Sequence, residues 1–546
     1  MHSLISIYVI IRLLGDLRRL LVPVFRVVFF AVTFVAVQGS AFILTILSPL
    51  TNLATPRWPR FQAWVTAIAL GLWCTVLIDL YLMRFLRFRF LWWLALALAL
   101  PVGVVIVREL QRVCEARLWA RRRGSSVIGN WRAAPYHVSR PFTLSTSERL
   151  KHLAVQGPTG SGKTTLLKRL IVDDLRAGNG ICVIDPKDDL VDSILPFVPA
   201  SRMQDVVLLD ATDTKRPLGF NPLSGVPRER HSLATGEIVA VLRRHFKTAW
   251  GPRLEHILTN AIMALLEVPG ATLLDVTPLL LNPDLRRAVM ERVSNPAVRE
   301  FFAGEFNDFL QRRGDALEPI LNKIGPWRAY PELRGIIGQR QSTFDIRTIM
   351  DKGQILLVRI PQGALGEDVS SLLGSLVVAK LQQAAHSRVA LPANRRRPFY
   401  LYVDEFQNFA TESFDRILTE ARGFGLGLVC ANQYAEQLPR DLQLAVAHNT
   451  ATQVACLQLQ GRYELRVRRL SEPEDAEPLV VRPPQRLSAG DSKWAATVRQ
   501  QSRMTYGRPV DELAVPEPAP RSRPTGTRNG GPRTRASARV IDVDED

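Results

Sequence analysis

Three long apolar runs dominate the first part of the chain. Residues 27–50 carry no charge across 24 positions, residues 61–83 carry one, Asp79, and residues 90–107 add 18 uncharged positions. A helix needs about 20 apolar residues to cross a bilayer, so the first two runs predict membrane-spanning helices. The third is broken by Pro101 and Gly103, and leaves open a third span or a re-entrant piece. The first run is too long for a cleaved leader and has no clear small-residue cleavage site.

Beyond about residue 150 the rhythm changes. Apolar β-rich runs at 153–155, 181–184, 206–209, 355–360, 399–403, 426–431 and 452–457 alternate with helical spacing. That alternation predicts an α/β fold with a doubly wound core. It lapses between 229 and 350, where "GPRLEHILTNAIMALLE" and "PAVREFFAGEFNDFL" have helical spacing and no β-rich run intervenes. An all-helical insertion is expected there. From about residue 488 the chain is rich in Pro, Arg, Gly and Ser and ends "VIDVDED". Such composition predicts disorder, with an acidic end that is either solvated or a docking element.

Charge alters this picture only locally. The formal net charge of the 546 residues is +19, but residues 1–150 hold +13 of it, 151–500 hold +5 and 501–546 hold +1. Most of the excess flanks the apolar runs, as expected of arginines retained on the cytoplasmic side of a membrane. Arg108, Arg112, Arg117 and Arg121 to Arg123 follow the last run, which places the remainder of the chain in the cytoplasm. Three passes would leave Arg12, Arg18, Arg19 and Arg26 outside, whereas two satisfy the rule. Net charge alone therefore does not establish a nucleic-acid partner. The five cysteines form no C-x-x-C pair, which argues against a disulfide scaffold or a zinc site and suits a reducing compartment.

The chemistry enters at "HLAVQGPTGSGKTTLL", residues 152–167. Gly157, Gly162, Lys163 and Thr164 satisfy G-x-x-x-x-G-K-[ST], with an apolar run before and a helical run after. Such a loop turns backbone N–H groups onto phosphate oxygens at the positive end of a helix. Gly157, Pro158, Thr159, Gly160, Ser161, Gly162, Lys163, Thr164 and Thr165 are therefore expected to cradle ATP. Lys163 would reach the β- and γ-phosphates and the Thr164 hydroxyl would ligate Mg²⁺. A partner carboxylate is expected from a neighbouring strand, and "PFYLYVDEFQNF" ends such a strand in Asp404 and Glu405. Asp404 would hold Mg²⁺ through water and Glu405 would polarise the attacking water.

Two further residues are candidates for the reaction. Gln433 lies just past the run 426–431, on a strand expected beside the phosphate loop, where a polar residue can sense the γ-phosphate. Arg422 lies 18 residues after Asp404 on the intervening helix. An arginine there could reach a neighbouring subunit's phosphates and stabilise transition-state charge, since one core per chain has no second core to supply it.

These residues, with "GFNPL" at 219–223 and "LYVDEFQNFATESFDRILTEARGFGLGLVCANQYAEQL" at 401–438, resemble the coupling proteins of type IV secretion. These are TraD/TraG-like conjugative ATPases related to the FtsK and HerA translocases. The resemblance covers about residues 108–460. It implies a RecA-like P-loop ATPase core with an all-α insertion, an inner-membrane multi-pass anchor with a cytoplasmic ATPase domain, and a homo-hexamer around a DNA channel. Single-stranded or nucleoprotein DNA, the secretion channel and relaxosome proteins would be its partners. It also supports Lys163, Thr164, Asp404, Glu405, Arg422 and Gln433 in the roles above. The segment after Cys456, "LQLQGRYELRVRRLSEPEDAEPL", departs from the family pattern.

The expected organisation is a transmembrane region of two or three helices at 1–110 and a cytoplasmic linker at 111–148. A RecA-like core follows at 149–228 and 351–460, interrupted by the helical domain at 229–350, and then the C-terminal extension at 461–546. The expected function is a membrane-anchored ATP-driven motor coupling DNA to a type IV secretion or conjugation channel, with recruitment or translocation of protein substrates as the alternative. A helicase would need a second core for which there is no room after residue 460, and a solute-transporting ABC ATPase would need an LSGGQ-like signature that is absent. A non-hydrolysing tether would lack the loop or its acidic partner, and neither is missing.

Overall fold

The computed structural model describes residues 126–513, apart from 134–137, 247–248, 312–316, 460–461, 474–475, 484–486 and 488–489. The expected membrane runs at 27–50, 61–83 and 90–107 lie outside the described residues, as do residues 514–546. Among the described residues no helix is long and apolar enough to cross a membrane.

All seven apolar runs read from the sequence are strands. They are β3 (Leu153–Gln156), β4 (Gly180–Asp185), β5 (Val206–Asp210), β6 (Ile355–Arg359), β7 (Phe399–Val403), β8 (Leu426–Asn432) and β9 (Thr452–Leu459). They pair in parallel in the order β9-β3-β8-β7-β4-β6-β5. A parallel sheet is covered on both faces, which explains why its strands are continuously apolar. On one face α1 (Lys163–Ala177) buries Leu166, Leu167, Leu170, Ile171 and Leu175. The other face packs in one apolar cluster with α2 (His231–Phe246), α3 (Pro252–Leu266), α4 (Glu367–Ser387), α5 (Glu412–Glu420) and α6 (Arg440–Asn449).

Residues 229–350 are helical, with no strand among those described. Their core is nonetheless continuous with that of the sheet, since α2 packs along α4 and shares its apolar cluster.

Two expectations are corrected. The region 111–148 contains β1 (Ser126–Ala133) and β2 (Val138–Leu144), and residues after 460 supply β10 (Arg462–Arg469) and β11 (Leu479–Arg482). These four strands extend the sheet antiparallel beyond β9, in the order β2-β1-β11-β10-β9. The first pair is therefore sheet rather than linker. Disorder from about 488 is also overturned for part of its length, because α7 (Ser492–Tyr506) is a 15-residue helix. It is held at the outer edge of the sheet by specific bonds: Leu208 N donates to Ser502 Oγ at 2.8 Å, and Trp494 Nε1 donates to the Val198 carbonyl at 2.8 Å.

One buried ion pair ties these layers together. Arg149, on the turn before β3, donates to both carboxylate oxygens of Asp174 on α1 at 2.6 and 2.7 Å. It also donates to Ser126 Oγ on β1 at 2.9 Å and to the Tyr402 hydroxyl oxygen on β7 at 2.7 Å. Both charged side chains are essentially inaccessible. Removing one partner of such a pair strands the other charge out of water and costs about 3–5 kcal/mol. Asp174→Ala is therefore expected to lower the unfolding midpoint of the full chain strongly, as measured by denaturant titration. An unchanged midpoint would contradict the buried pairing.

Candidate functional site

The phosphate loop forms where β3 ends and α1 begins, at the C-terminal edge of the parallel strands. Two glycines are required by geometry. A Cβ on Gly157 would lie 2.3 Å from the Cys456 carbonyl oxygen on β9, so only glycine fits there. Gly162, which caps α1, has φ 96°, the left-handed region that other residues adopt at a cost. Pro158, Thr159, Gly160 and Thr165 form an exposed rim. The Ser161 hydroxyl is buried with no hydrogen-bond partner, an orphan of the kind a phosphate oxygen would satisfy. The Lys163 ammonium folds back on the loop, donating to the carbonyls of Gly157 at 2.5 Å and Pro158 at 3.1 Å. Burial pushes its pKa down, against the opposing pull of Glu405 and Asp404.

Asp404 and Glu405 leave the C-terminal end of β7. The expected neighbouring strand is one place further away: β8 lies between β3 and β7. The gap is still closed, because Thr164 Oγ1 donates to Asp404 Oδ2 at 3.4 Å. Asp404 is only 2 % exposed. Burial raises its pKa, the backbone N–H of Glu405 opposes this at 2.9 Å, and the Glu405 charge adds to the rise. The thioether-free, all-oxygen donor set of Thr164 and Asp404 suits a hard divalent cation such as Mg²⁺. The loop and this pair therefore fit a nucleotide triphosphate with its metal.

Glu405 has φ 47° and ψ 52°, left-handed for a non-glycine residue. That conformation costs of order 1 kcal/mol and is common where a side chain must be aimed. Burial alone would raise its pKa. The ion pair with Lys187 and the hydrogen bond from Gln407 Nε2 outweigh that and hold the carboxyl below its usual range. The two adjacent carboxyls are thus pushed in opposite directions.

Lys187 and Gln407 were not singled out in the sequence. Lys187 lies in "IDPKDDL" at the end of β4, the strand next to β7. Asp185 shapes that turn, its carboxylate accepting backbone N–H groups of Lys187 at 3.0 Å, Asp188 at 3.1 Å and Val191 at 2.8 Å. A lysine closing the run that leaves a buried strand was the available signal, but only the sheet order makes it a partner of Glu405.

Gln433 follows β8, the strand beside β3. Its carbonyl and that of Asn432 accept the Gly157 N–H at 3.2 and 3.3 Å, which fixes this segment against the phosphate loop. Arg422 is not brought into this cluster. It lies on a short 3-10 helix, Ala421–Phe424, that directly follows α5, and it is exposed. That short helix leads into the N-terminal end of β8, whereas Gly157, Asp404 and Gln433 follow the C-terminal ends of their strands. Arg422 therefore occupies the opposite edge of the sheet from its own chain's loop.

Comparison with known proteins finds relatives at low identity. The chain is 22 % identical over 369 residues to the type 4 coupling protein DotL of Legionella pneumophila, covering 57 % of this chain and 47 % of that protein. It thus spans about half the length of this curated relative. Among solved structures it resembles the bacterial conjugative coupling protein TrwBdeltaN70, with TM-score 0.47, 16 % identity and coverage of 64 % of this chain and 88 % of that one. The plasmid coupling protein TrwB in complex with ADP and Mg²⁺ matches with TM-score 0.43 and 18 % identity, over 62 % of this chain and 79 % of that one. The model of the type IV secretion-system coupling protein DNA-binding domain matches residues 139–456, more than half of the chain, and the protein belongs to that family.

Proposed function

We propose that the protein is an ATP-hydrolysing motor, anchored in the cytoplasmic membrane, that brings DNA to a type IV secretion channel. The observation that carries the reading is the convergence of Lys163, Thr164, Asp404 and Glu405 at one end of the sheet of a coupling-protein domain. Mg²⁺, held by Thr164 and Asp404, would neutralise phosphate charge there. Lys163 turns from the loop carbonyls to the β- and γ-phosphates. Backbone N–H groups of residues 157–165 hold the phosphate oxygens, and Ser161 supplies a hydroxyl. Glu405, kept ionised by Lys187, orients and deprotonates the attacking water, and Gln433, whose carbonyl accepts the Gly157 N–H, would report γ-phosphate loss.

Arg422 acts on a neighbouring subunit. Its exposure at the sheet edge remote from its own loop supports a ring in which each chain completes the next one's site, and a homo-hexamer meets that need. The apolar runs at 27–50 and 61–83, followed by the arginine cluster at 117–123, support a two-pass anchor with the motor in the cytoplasm.

The pH profile of ATP hydrolysis by the full chain tests the role of Glu405. Its pKa is held down, so the carboxylate persists into mildly acidic solution. Lys187→Met removes the main counter-charge, and the acid limb of kcat should move to higher pH. Glu405→Gln should lower kcat by about 10²-fold or more at all pH values while nucleotide still binds. A limb that stays in place, or a Glu405→Gln variant with normal kcat, would remove Glu405 from the base role.

A further inference from the structure

The flank of the phosphate loop away from Asp404 is built by β9 and by β10, a strand in the segment that departs from the family pattern. In the sheet order β10-β9-β3-β8-β7, the acidic pair lies on one side of β3 and these strands on the other. A triphosphate whose γ end faces Asp404 and Glu405 must send its ribose and base toward β9 and β10.

The register decides which side chains wait there. Leu465 and Val467 of β10 and Val454 and Cys456 of β9 are buried in the same apolar cluster as α1. Side chains alternate along a strand, so Tyr463 and Gln458 share that face, one position nearer the open end. The two lie directly opposite each other in the antiparallel pair. A methyl group on Gly162 would lie 3.5 Å from Tyr463 Cδ1 and 3.8 Å from Cε1, so the ring stands against the loop where α1 begins. It is nevertheless 38 % exposed, and Gln458 beside it is exposed as well.

We propose that Tyr463 is the platform on which the base of the bound nucleotide stacks, with the Gln458 amide beside it able to read the edge of a purine. The proposal rests on the reading of residues 157–165 as a triphosphate loop. An aromatic ring beside a phosphate cradle offers a flat face on which a nucleotide base can stack.

The test compares ATP with inorganic tripolyphosphate, which fills the loop but has no base, by calorimetric binding to the full-length protein. Tyr463→Ala should weaken ATP by about tenfold and leave tripolyphosphate unchanged, while Tyr463→Phe should retain ATP affinity. Equal weakening of both ligands would mean that Tyr463 only props the loop, and no weakening of ATP would mean that it is a bystander; either overturns the proposal. Lys163→Ala separates the two readings: it should weaken both ligands, and intact binding of both would sink the triphosphate loop itself rather than the platform.

Discussion

Lys163→Ala is expected to abolish ATP hydrolysis and weaken nucleotide binding. The ammonium is the one cation within the loop's own turn, 2.5 Å from the Gly157 carbonyl and 3.1 Å from that of Pro158. Those carbonyls are weak partners for a buried charge, and burial already lowers the lysine's pKa. Phosphate oxygens are far better partners, because they add the attraction of opposite charges to the hydrogen bond. The same contact stabilises charge that grows on the phosphates during transfer. Both effects disappear with the amine, so the variant should fall to the uncatalysed background. The measurement is steady-state phosphate release by the full chain in detergent, with binding of a fluorescent ATP analogue alongside. A rate within a few fold of wild type would place hydrolysis elsewhere.

Arg422→Ala is expected to lower kcat by about 10³-fold, the scale of a lost arginine finger, without weakening ATP binding in the same subunit. Its position explains the asymmetry: the exposed turn at Ala421–Phe424 faces away from the edge that carries Lys163 and Asp404. A finger that works between subunits has a signature that a structural arginine lacks. Mixing Arg422→Ala with Lys163→Ala creates interfaces where an intact loop meets an intact arginine, so activity should return. Phosphate release from the mixture, compared with each variant alone, reads this directly. Loss of activity without recovery would make Arg422 a structural residue of its own turn.

What was legible in the sequence follows from burial. The parallel strands inside the sheet are covered on both faces and appear as unbroken apolar runs such as "FYLYV" and "LGLVCAN", whereas β9, beside the antiparallel strands, is buried only at alternate positions. The four antiparallel strands form no such runs. In "RYELRVRR" only Leu465 and Val467 are buried, so charge hides the alternation. β2 carries Pro141 and lies at the sheet's edge, where a missing N–H is tolerated. The helix Ser492–Tyr506 buries only Val498 and Ser502. Beside the Ser502 and Trp494 hydrogen bonds it is docked by ion pairs, Arg499 to Asp192 and Asp210 and Arg503 to Asp213, and a helix with so few apolar residues has the composition of a disordered tail.

The site divides in the same manner. The loop and the Asp404–Glu405 pair are contiguous motifs whose spacing states their chemistry. Lys187 acts on Glu405 only because β4 lies beside β7 across 218 residues of sequence. Tyr463 reaches the loop only because β10 pairs with β9 and β9 with β3. Sequence spacing carries no trace of either neighbour.

On the proposed function, ATP hydrolysis drives DNA movement. The most direct measurement is the Lys163-dependent rate of ATP hydrolysis by the full chain, taken with no addition, with single-stranded DNA, with duplex DNA and with an unfolded protein. Stimulation by DNA that fades as salt rises is expected, since phosphate contacts release counterions. A Lys163-dependent rate that ignores DNA and rises with the unfolded protein would contradict it, and would make the chain a motor for protein secretion.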